Sequence, residues 1–174
     1  ADLAVWDTDD PRGIAYPIGG APCLAVLKDG RLVHETPAPV FALLRARDRE
    51  GIERYVDLGV SEGGRIRTGG VRPQGAGYDK GYFYTPTILE GLTNSARITQ
   101  EEIFGPVLVA MPFDTEDELI AQANDSIYAL AAGVWSRDFK RAWRMGRAVQ
   151  AGTVWVNTYK QFSVSTPFGG WRDS

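Results

Sequence analysis

The chain has 174 residues, a formal net charge of −3, 44% hydrophobic and 24% charged residues, the composition of an ordinary globular protein with one packed core, neither disordered nor fibrous. An acidic balance leaves no basic surplus to neutralise phosphates or an anionic lipid surface, so neither nucleic acid nor membrane is an expected partner. A single cysteine, Cys23, excludes an internal disulfide, and with no leader or long apolar run the expected setting is reducing and cytoplasmic.

Along the chain, residues 1–19 scatter isolated apolar residues among Pro11, Gly13, Pro17 and Gly19, which predicts irregular structure. "RLVHE" (31–35) follows a strand pattern. From Pro39 to Ser61 the spacing of Ile52, Tyr55, Val56 and Val60 is helical, and Gly63–Gly64 would end the helix. A glycine-rich loop with Pro73 inside it spans 69–81, and "YFYTPTIL" then alternates enough to be a strand.

The second half is more regular. "GPVLVAMPF" reads as a buried strand. In "DTEDELIAQAND", Thr115 stands three residues before Glu118, a capping-box spacing, and Leu119, Ile120 and Ala123 share a helical face. "LAAGVWS" is a second strand. "RDFKRAWRMGRAVQAG" sets Phe139, Ala142, Trp143, Gly146 and Val149 at helical intervals with Gly152 as the stop, and "TVWVN" is a third strand. Strand, helix, strand, helix, strand at this spacing predicts an α/β fold, a mostly parallel sheet layered by helices.

The residues alone leave Cys23 open between an inert small hydrophobe and a nucleophile. His34 reads as a satisfied strand-end histidine, and with no second His or Cys beside it no metal site is expected. Glu101 and Glu102 could be solvated charges ahead of a buried strand. Trp135, Trp143 and Trp155 fall on expected core faces, and "RDFKRAWRMGR" reads as a solvated basic helical face. Asn157 ends the third strand, and ligand sites in open α/β sheets lie outside the carboxyl ends of strands.

In order, "GYFYTPTIL", "TQEEIFGPVLV", "AND" with "YALAAGVW", "AGTVWVN" and "TPFGG" match successive signatures of one family, and "GAPCLA" with "RLVHE" matches its nucleophile segment and the strand after it. The chain thereby resembles the C-terminal, catalytic-domain portion of the aldehyde dehydrogenase superfamily. The resemblance implies NAD(P)-dependent oxidation of an aldehyde to a carboxylic acid. It places Cys23 as the nucleophile that forms a thiohemiacetal and then a thioester, and Glu102 and Phe104 beside the nicotinamide ribose and ring. Phe162 and Phe168 become apolar walls of the aldehyde tunnel, with Asn157 on the substrate side. The chain would form one catalytic-domain-like unit: a nucleophile segment at 1–37, a helical stretch at 38–64 and an α/β core at 65–174. A homo-oligomer or a missing N-terminal half are the further partners implied.

Several family features are absent. No G-x-G-x-x-G turn follows a strand, neither the oxyanion asparagine nor an "ELGGK"-like glutamate is present, and Pro22 precedes the cysteine where the family usually has a polar residue. These absences predict weak or no NAD(P) binding and no hydride transfer by these residues alone, since the nicotinamide must be held against the thiohemiacetal. Two rivals stay open: a cofactor-free thiol esterase acting through Cys23, and a non-catalytic remnant that binds a partner protein through an exposed apolar patch.

Overall fold

The computed structural model describes residues 45–159 and 161–174, together with the backbone of strands at 2–6, 14–15, 25–28, 31–35 and 41–43. In chain order the described elements begin with β1 (Asp2–Trp6), β2 (Ile14–Ala15), β3 (Ala25–Lys28), β4 (Arg31–Glu35) and β5 (Phe41–Leu43). Next come α1 (Ala46–Ser61), β6 (Arg65–Thr68), β7 (Tyr82–Tyr84), β8 (Thr87–Glu90), α2 (Arg97–Gln100) and β9 (Val107–Ala110). The last are α3 (Glu116–Asn124), β10 (Tyr128–Ala129), β11 (Ala131–Trp135), α4 (Phe139–Ala148), β12 (Thr153–Val156) and β13 (Trp171–Arg172). They fall into two compact units, Ile14–Pro112 and Ala1–Gly13 with Phe113–Ser174. The expected α/β class is observed.

In the unit Ile14–Pro112, β3 sits between β2 and β4 in an antiparallel sheet, and β5 pairs antiparallel with β7, with Phe41 in backbone register with Tyr84. β8 is the centre of a third sheet, antiparallel to β6 and parallel to β9. Ile52 and Val56 of α1 pack with Tyr84, while Leu89, Leu92, Ala96 and Ile98 form an adjoining cluster, and Ile103 and Val107 touch both. Ile52, Val56 and Leu89, the most deeply buried of these aliphatics, contribute about 1.5–3 kcal/mol each. The loop at 69–81 is tied to the strands beside it: Thr87, fully buried, accepts from Gly70 N–H at 2.8 Å and donates to the Thr85 carbonyl at 2.9 Å.

Helix α1 stops where the glycine pair predicts. Gly63 takes φ +97°, its N–H reaches the Val60 carbonyl at 3.1 Å, and the Gly64 N–H reaches the Gly59 carbonyl at 2.8 Å, the paired bonds of a Schellman ending. Its cap residue Glu62 then serves a second helix. The Glu62 carboxylate accepts from the Arg97 and Ile98 N–H groups at 2.9 and 3.3 Å, filling the N-terminus of α2, whose own N-cap Ala96 has no side chain for the task.

In the second unit, β11 runs parallel to β1 on one side and to β12 on the other. Leu119 of α3, Val134 of β11 and Met145 of α4 form its core, with Phe113, Ile120 and Val154 against them. The Thr115 hydroxyl accepts from the Glu118 N–H at 3.1 Å as the capping-box spacing predicts, and the Glu118 carboxylate answers at Asp114 N–H, 2.8 Å. Asp138 caps α4 through Lys140 and Arg141 N–H. Glu116 ties α3 to α4 by accepting from Arg144 at 2.7 and 3.0 Å and from Arg141 at 2.9 Å.

Several sequence expectations are corrected. Residues 2–6, read as irregular, form β1, because a remote partner, β11, supplies the hydrogen bonds that local turn formers could not foretell. β9 does not join β11 and β12 in one sheet but pairs with β8. Residues 41–43 are a strand rather than the start of a helix, and Pro86, lacking an N–H, separates β7 from β8 within "YFYTPTIL". Val60 is 46% exposed, and Phe139 and Trp143 lie 75% and 58% exposed, so α4 is held to its unit by Ala142, Met145 and Val149 instead.

Two outcomes check this packing. An added Cβ at Gly59 would meet Ile98 Cδ1 at 2.6 Å and Leu89 Cδ2 at 2.9 Å. Helix propensity favours alanine by about 1 kcal/mol, but overpacking costs about 1–3 kcal/mol, and fully buried Leu89 has no solvent to swing into. Gly59→Ala is therefore expected to lose about 1 kcal/mol in urea unfolding; a gain would disprove the tight fit. The Glu116 carboxyl lies below the usual range, first because Arg144 donates to it; burial opposes this as the next effect, and Arg141 adds to the lowering. A carboxyl depressed in the folded state adds stability above its unfolded pKa, about 4.3, and that stability is lost as pH falls through the folded value. In thermal melts between acid and neutral pH, Glu116→Gln should flatten the acid limb; an unchanged limb would contradict the assignment.

Candidate active site

Cys23 and Pro22 lie outside the described residues. Of the remaining candidates, Glu102 and Phe104 belong to one unit and Asn157, Phe162 and Phe168 to the other.

The segment 101–107 links α2 to β9 and is pinned at alternate residues. Glu101 accepts from the Tyr55 hydroxyl at 2.9 Å and from Arg97 at 2.8 and 3.2 Å, and its pKa is lowered chiefly by Arg97 and then by Tyr55. Ile103 packs into both apolar clusters. Gly105 abuts α1 so closely that a Cβ there would stand 2.4 Å from Ile52, and the Thr87 N–H donates to the Pro106 carbonyl at 2.8 Å. Between these anchors Glu102 is half-buried and Phe104 is 84% exposed. Glu101 is a structural bridge between α1 and α2, and Glu102, half-buried, precedes the exposed Phe104 by two residues. A carboxylate can accept from hydroxyl groups and an exposed ring can lie against a planar group, a combination that suits a ribose with a planar heterocycle.

Asn157 follows β12 in the left-handed region, φ +54°, which asparagine tolerates better than most residues. Its N–H donates to the Val134 carbonyl at 2.8 Å. Its carboxamide then does what a further strand residue would do, accepting from the Ser136 N–H at 2.9 Å and donating to the Ser136 carbonyl at 3.0 Å. The pairing of β11 and β12 is closed, and the backbone turns out of the sheet.

An aromatic ladder lies beyond this turn. Trp155, buried in β12, meets Tyr159 at 5.1 Å and Phe162 at 5.3 Å between ring centroids, and Phe162 meets Phe168 at 5.1 Å, all edge-to-face; Tyr159 also lies 6.2 Å from Trp135. Such pairs contribute about 0.5–1.5 kcal/mol each beyond the area they cover. The Trp155 indole N–H donates to the Gln161 carbonyl at 2.8 Å, fixing the return of the chain. Phe162 and Phe168, predicted as walls of one site, are brought into direct contact, yet 61% and 53% of their surfaces stay exposed. An open aromatic surface of this kind can take up the apolar part of a small organic molecule.

Phe168 is placed from behind. Gly152 passes so near the Gly169 carbonyl that a Cβ would lie 1.7 Å from its oxygen. Beyond it, β13 pairs antiparallel with β10, Ala129 opposite Trp171. Arg172, at φ +53°, donates to the Asn124 carbonyl at 2.7 Å, to the Ser126 carbonyl and to the Gln150 side chain, which ties β13 to the chain after α3 and α4. Sequence reasoning assigned Trp155 to packing and did not single out Tyr159, Ser136 or Arg172. The spacing of aromatics from Trp155 to Phe168 was the visible signal; the roles of Ser136 and Arg172 depend on partners far along the chain.

Residues 32–174 match the model of the aldehyde dehydrogenase family. Among curated relatives, betaine aldehyde dehydrogenase of Bacillus subtilis (strain 168) is 42% identical over 132 residues, 76% of this chain and 27% of that protein. Fluoroacetaldehyde dehydrogenase of Streptantibioticus cattleyicolor is 48% identical over 126 residues, 72% of this chain and 25% of that protein. Among solved structures, betaine aldehyde dehydrogenase of Staphylococcus aureus in complex with NAD+ superposes with a TM-score of 0.72 at 40% identity, covering 75% of this chain and 26% of that one. The chain therefore spans about a quarter of the length of these relatives.

A side chain at position 152 cannot avoid a backbone oxygen by changing rotamer. Gly152→Ala is expected to destabilise by about 3 kcal/mol, the upper end for overpacking, and to reduce the near-ultraviolet circular dichroism of the aromatic ladder. An unchanged spectrum would show that Gly169 does not hold Phe168 in place.

Proposed function

Because the chain belongs to the aldehyde dehydrogenase family, we propose that it forms a catalytic-domain-like part of an enzyme that oxidises an aldehyde to a carboxylic acid with NAD or NADP. The observation that carries this reading is the exposed Phe162–Phe168 pair seated on Trp155, an apolar wall within the residues the family model matches. Relatives named for aldehyde oxidation, one of them bound to NAD+, support the same reading.

In this mechanism the Cys23 thiolate attacks the aldehyde carbon, forming a C–S bond and a thiohemiacetal. Phe162 and Phe168 hold the apolar part of the aldehyde and exclude water from it, while Asn157 fixes the strand end from which that wall departs. Glu102 would accept hydrogen bonds from the ribose hydroxyls of a bound dinucleotide and Phe104 would lie beside its planar end. A bound nicotinamide dinucleotide would supply the hydride acceptor, the thiohemiacetal losing a hydride from carbon and its hydroxyl proton to become a thioester. Water then cleaves the thioester at Cys23, releasing the acid and restoring the thiol. Glu102 and Phe104 would serve the nicotinamide end of the dinucleotide. A reducing, cytoplasmic setting belongs to the same proposal; among the described residues no helix is long and apolar enough to cross a membrane.

Thiohemiacetal formation is measurable without hydride transfer. Propionaldehyde should slow alkylation of Cys23 by iodoacetamide in a saturable way, and Phe168→Ala should raise the half-protecting concentration about tenfold, the usual effect of removing part of an apolar pocket. No NADH or NADPH is expected from the 174-residue chain alone. Absence of protection would overturn the proposal, and a Cys23-dependent burst from a nitrophenyl ester without aldehyde protection would favour the thiol esterase.

A further inference from the structure

The outer face of α4 is used neither by the candidate active site nor by the core. Phe139 and Trp143 stand four residues apart, one helical turn, with rings stacked at 6.3 Å and 21°. They are 75% and 58% exposed, although α4 is already fastened by Ala142, Met145 and Val149 on its other side. Four cations stand on this helix. Glu116 takes Arg141 and Arg144, whereas Lys140 and Arg147, both exposed, have no carboxylate partner among the described residues. By helical position, Lys140 follows Phe139 and Arg147 lies one turn beyond Trp143, so an aromatic pair is flanked by unneutralised positive charge at both ends.

We propose that this face docks an acidic segment of a partner protein. Apolar side chains one turn apart would cover the Phe139–Trp143 stack while carboxylates meet Lys140 and Arg147. Tryptophan and arginine are the residue types that most often dominate binding interfaces, and carboxylates meeting desolvated cations add selectivity. Charge decides between occupants. A second copy would bring Lys140 and Arg147 against their own like. An anionic lipid sheet would repel a chain of net charge −3, whereas a short segment sits within the local positive field, which salt screens over about 10 Å.

The test uses the 174-residue chain and a short fluorescein-labelled peptide with two leucines four residues apart among glutamates, followed by anisotropy. Saturable binding is expected. It should weaken about tenfold with Trp143→Ala, by a similar factor with the paired changes Lys140→Glu and Arg147→Glu, and progressively with added salt, and it should vanish when the peptide's glutamates are replaced by lysines. Matching far-ultraviolet circular dichroism would confirm that the variants fold. Should Trp143→Ala misfold, the charge-reversed variant still decides. Absent binding, equal binding of the lysine peptide, or indifference to both variants would overturn the proposal. So would Trp143-dependent binding to phosphatidylglycerol vesicles, which would assign the face to lipid, or self-association lost in Trp143→Ala, which would assign it to a second copy.

Discussion

The carboxamide of Asn157 is the constraint on which the candidate substrate wall depends. A parallel strand pair has no natural end, since each further residue could add another rung. Here the Asn157 side chain takes the place of that rung against Ser136, and its left-handed backbone sends the chain away from the sheet. Trp155, two residues earlier, is thereby left as the fixed ring on which Tyr159 and Phe162 lean. Both ends of the segment between Phe162 and Phe168 are then secured, one by Asn157 and Trp155, the other by Gly152 and Arg172.

A similar economy governs the segment of Glu102 and Phe104. Each inward residue has a distinct anchor: a hydroxyl and a guanidinium for Glu101, an apolar cluster for Ile103, the face of α1 for Gly105. Rigid placement of an exposed ring and a half-buried carboxylate limits the entropy lost when a ligand is bound. The two segments also solve opposite problems. One keeps aromatic area open that would otherwise collapse into a core, and the other draws Glu101, one of two neighbouring carboxylates, into a bridge between helices.

The elements that were legible in the sequence are those whose determinants are local. The Thr115–Glu118 capping box, the glycine pair that ends α1 and the strands at "GPVLVA", "AAGVW" and "TVWV" appear where spacing places them. The pairing of β1 with β11, the break at Pro86 and the separation of β9 from β11 were not legible, because they depend on which remote edge offers hydrogen bonds. Helical periodicity marked Phe139 and Trp143 as apolar positions but could not tell an inward stripe from an outward one, since α4 carries apolar residues on both. Of the candidate residues, the mutual contact of Phe162 and Phe168 was readable only as a shared expectation. The use of Glu101 as a bridge, and so its difference from Glu102, needed Tyr55 from a helix more than forty positions earlier.

Glu62 joins the end of α1 to the beginning of α2 with a single carboxylate. A helix of four residues has almost no capacity to persist by itself, so α2 exists on loan from its longer neighbour. Any loosening at the tail of α1 travels directly into the segment that presents Glu102 and Phe104, and the firmness of that region is inherited from a helix that contributes no candidate residue itself.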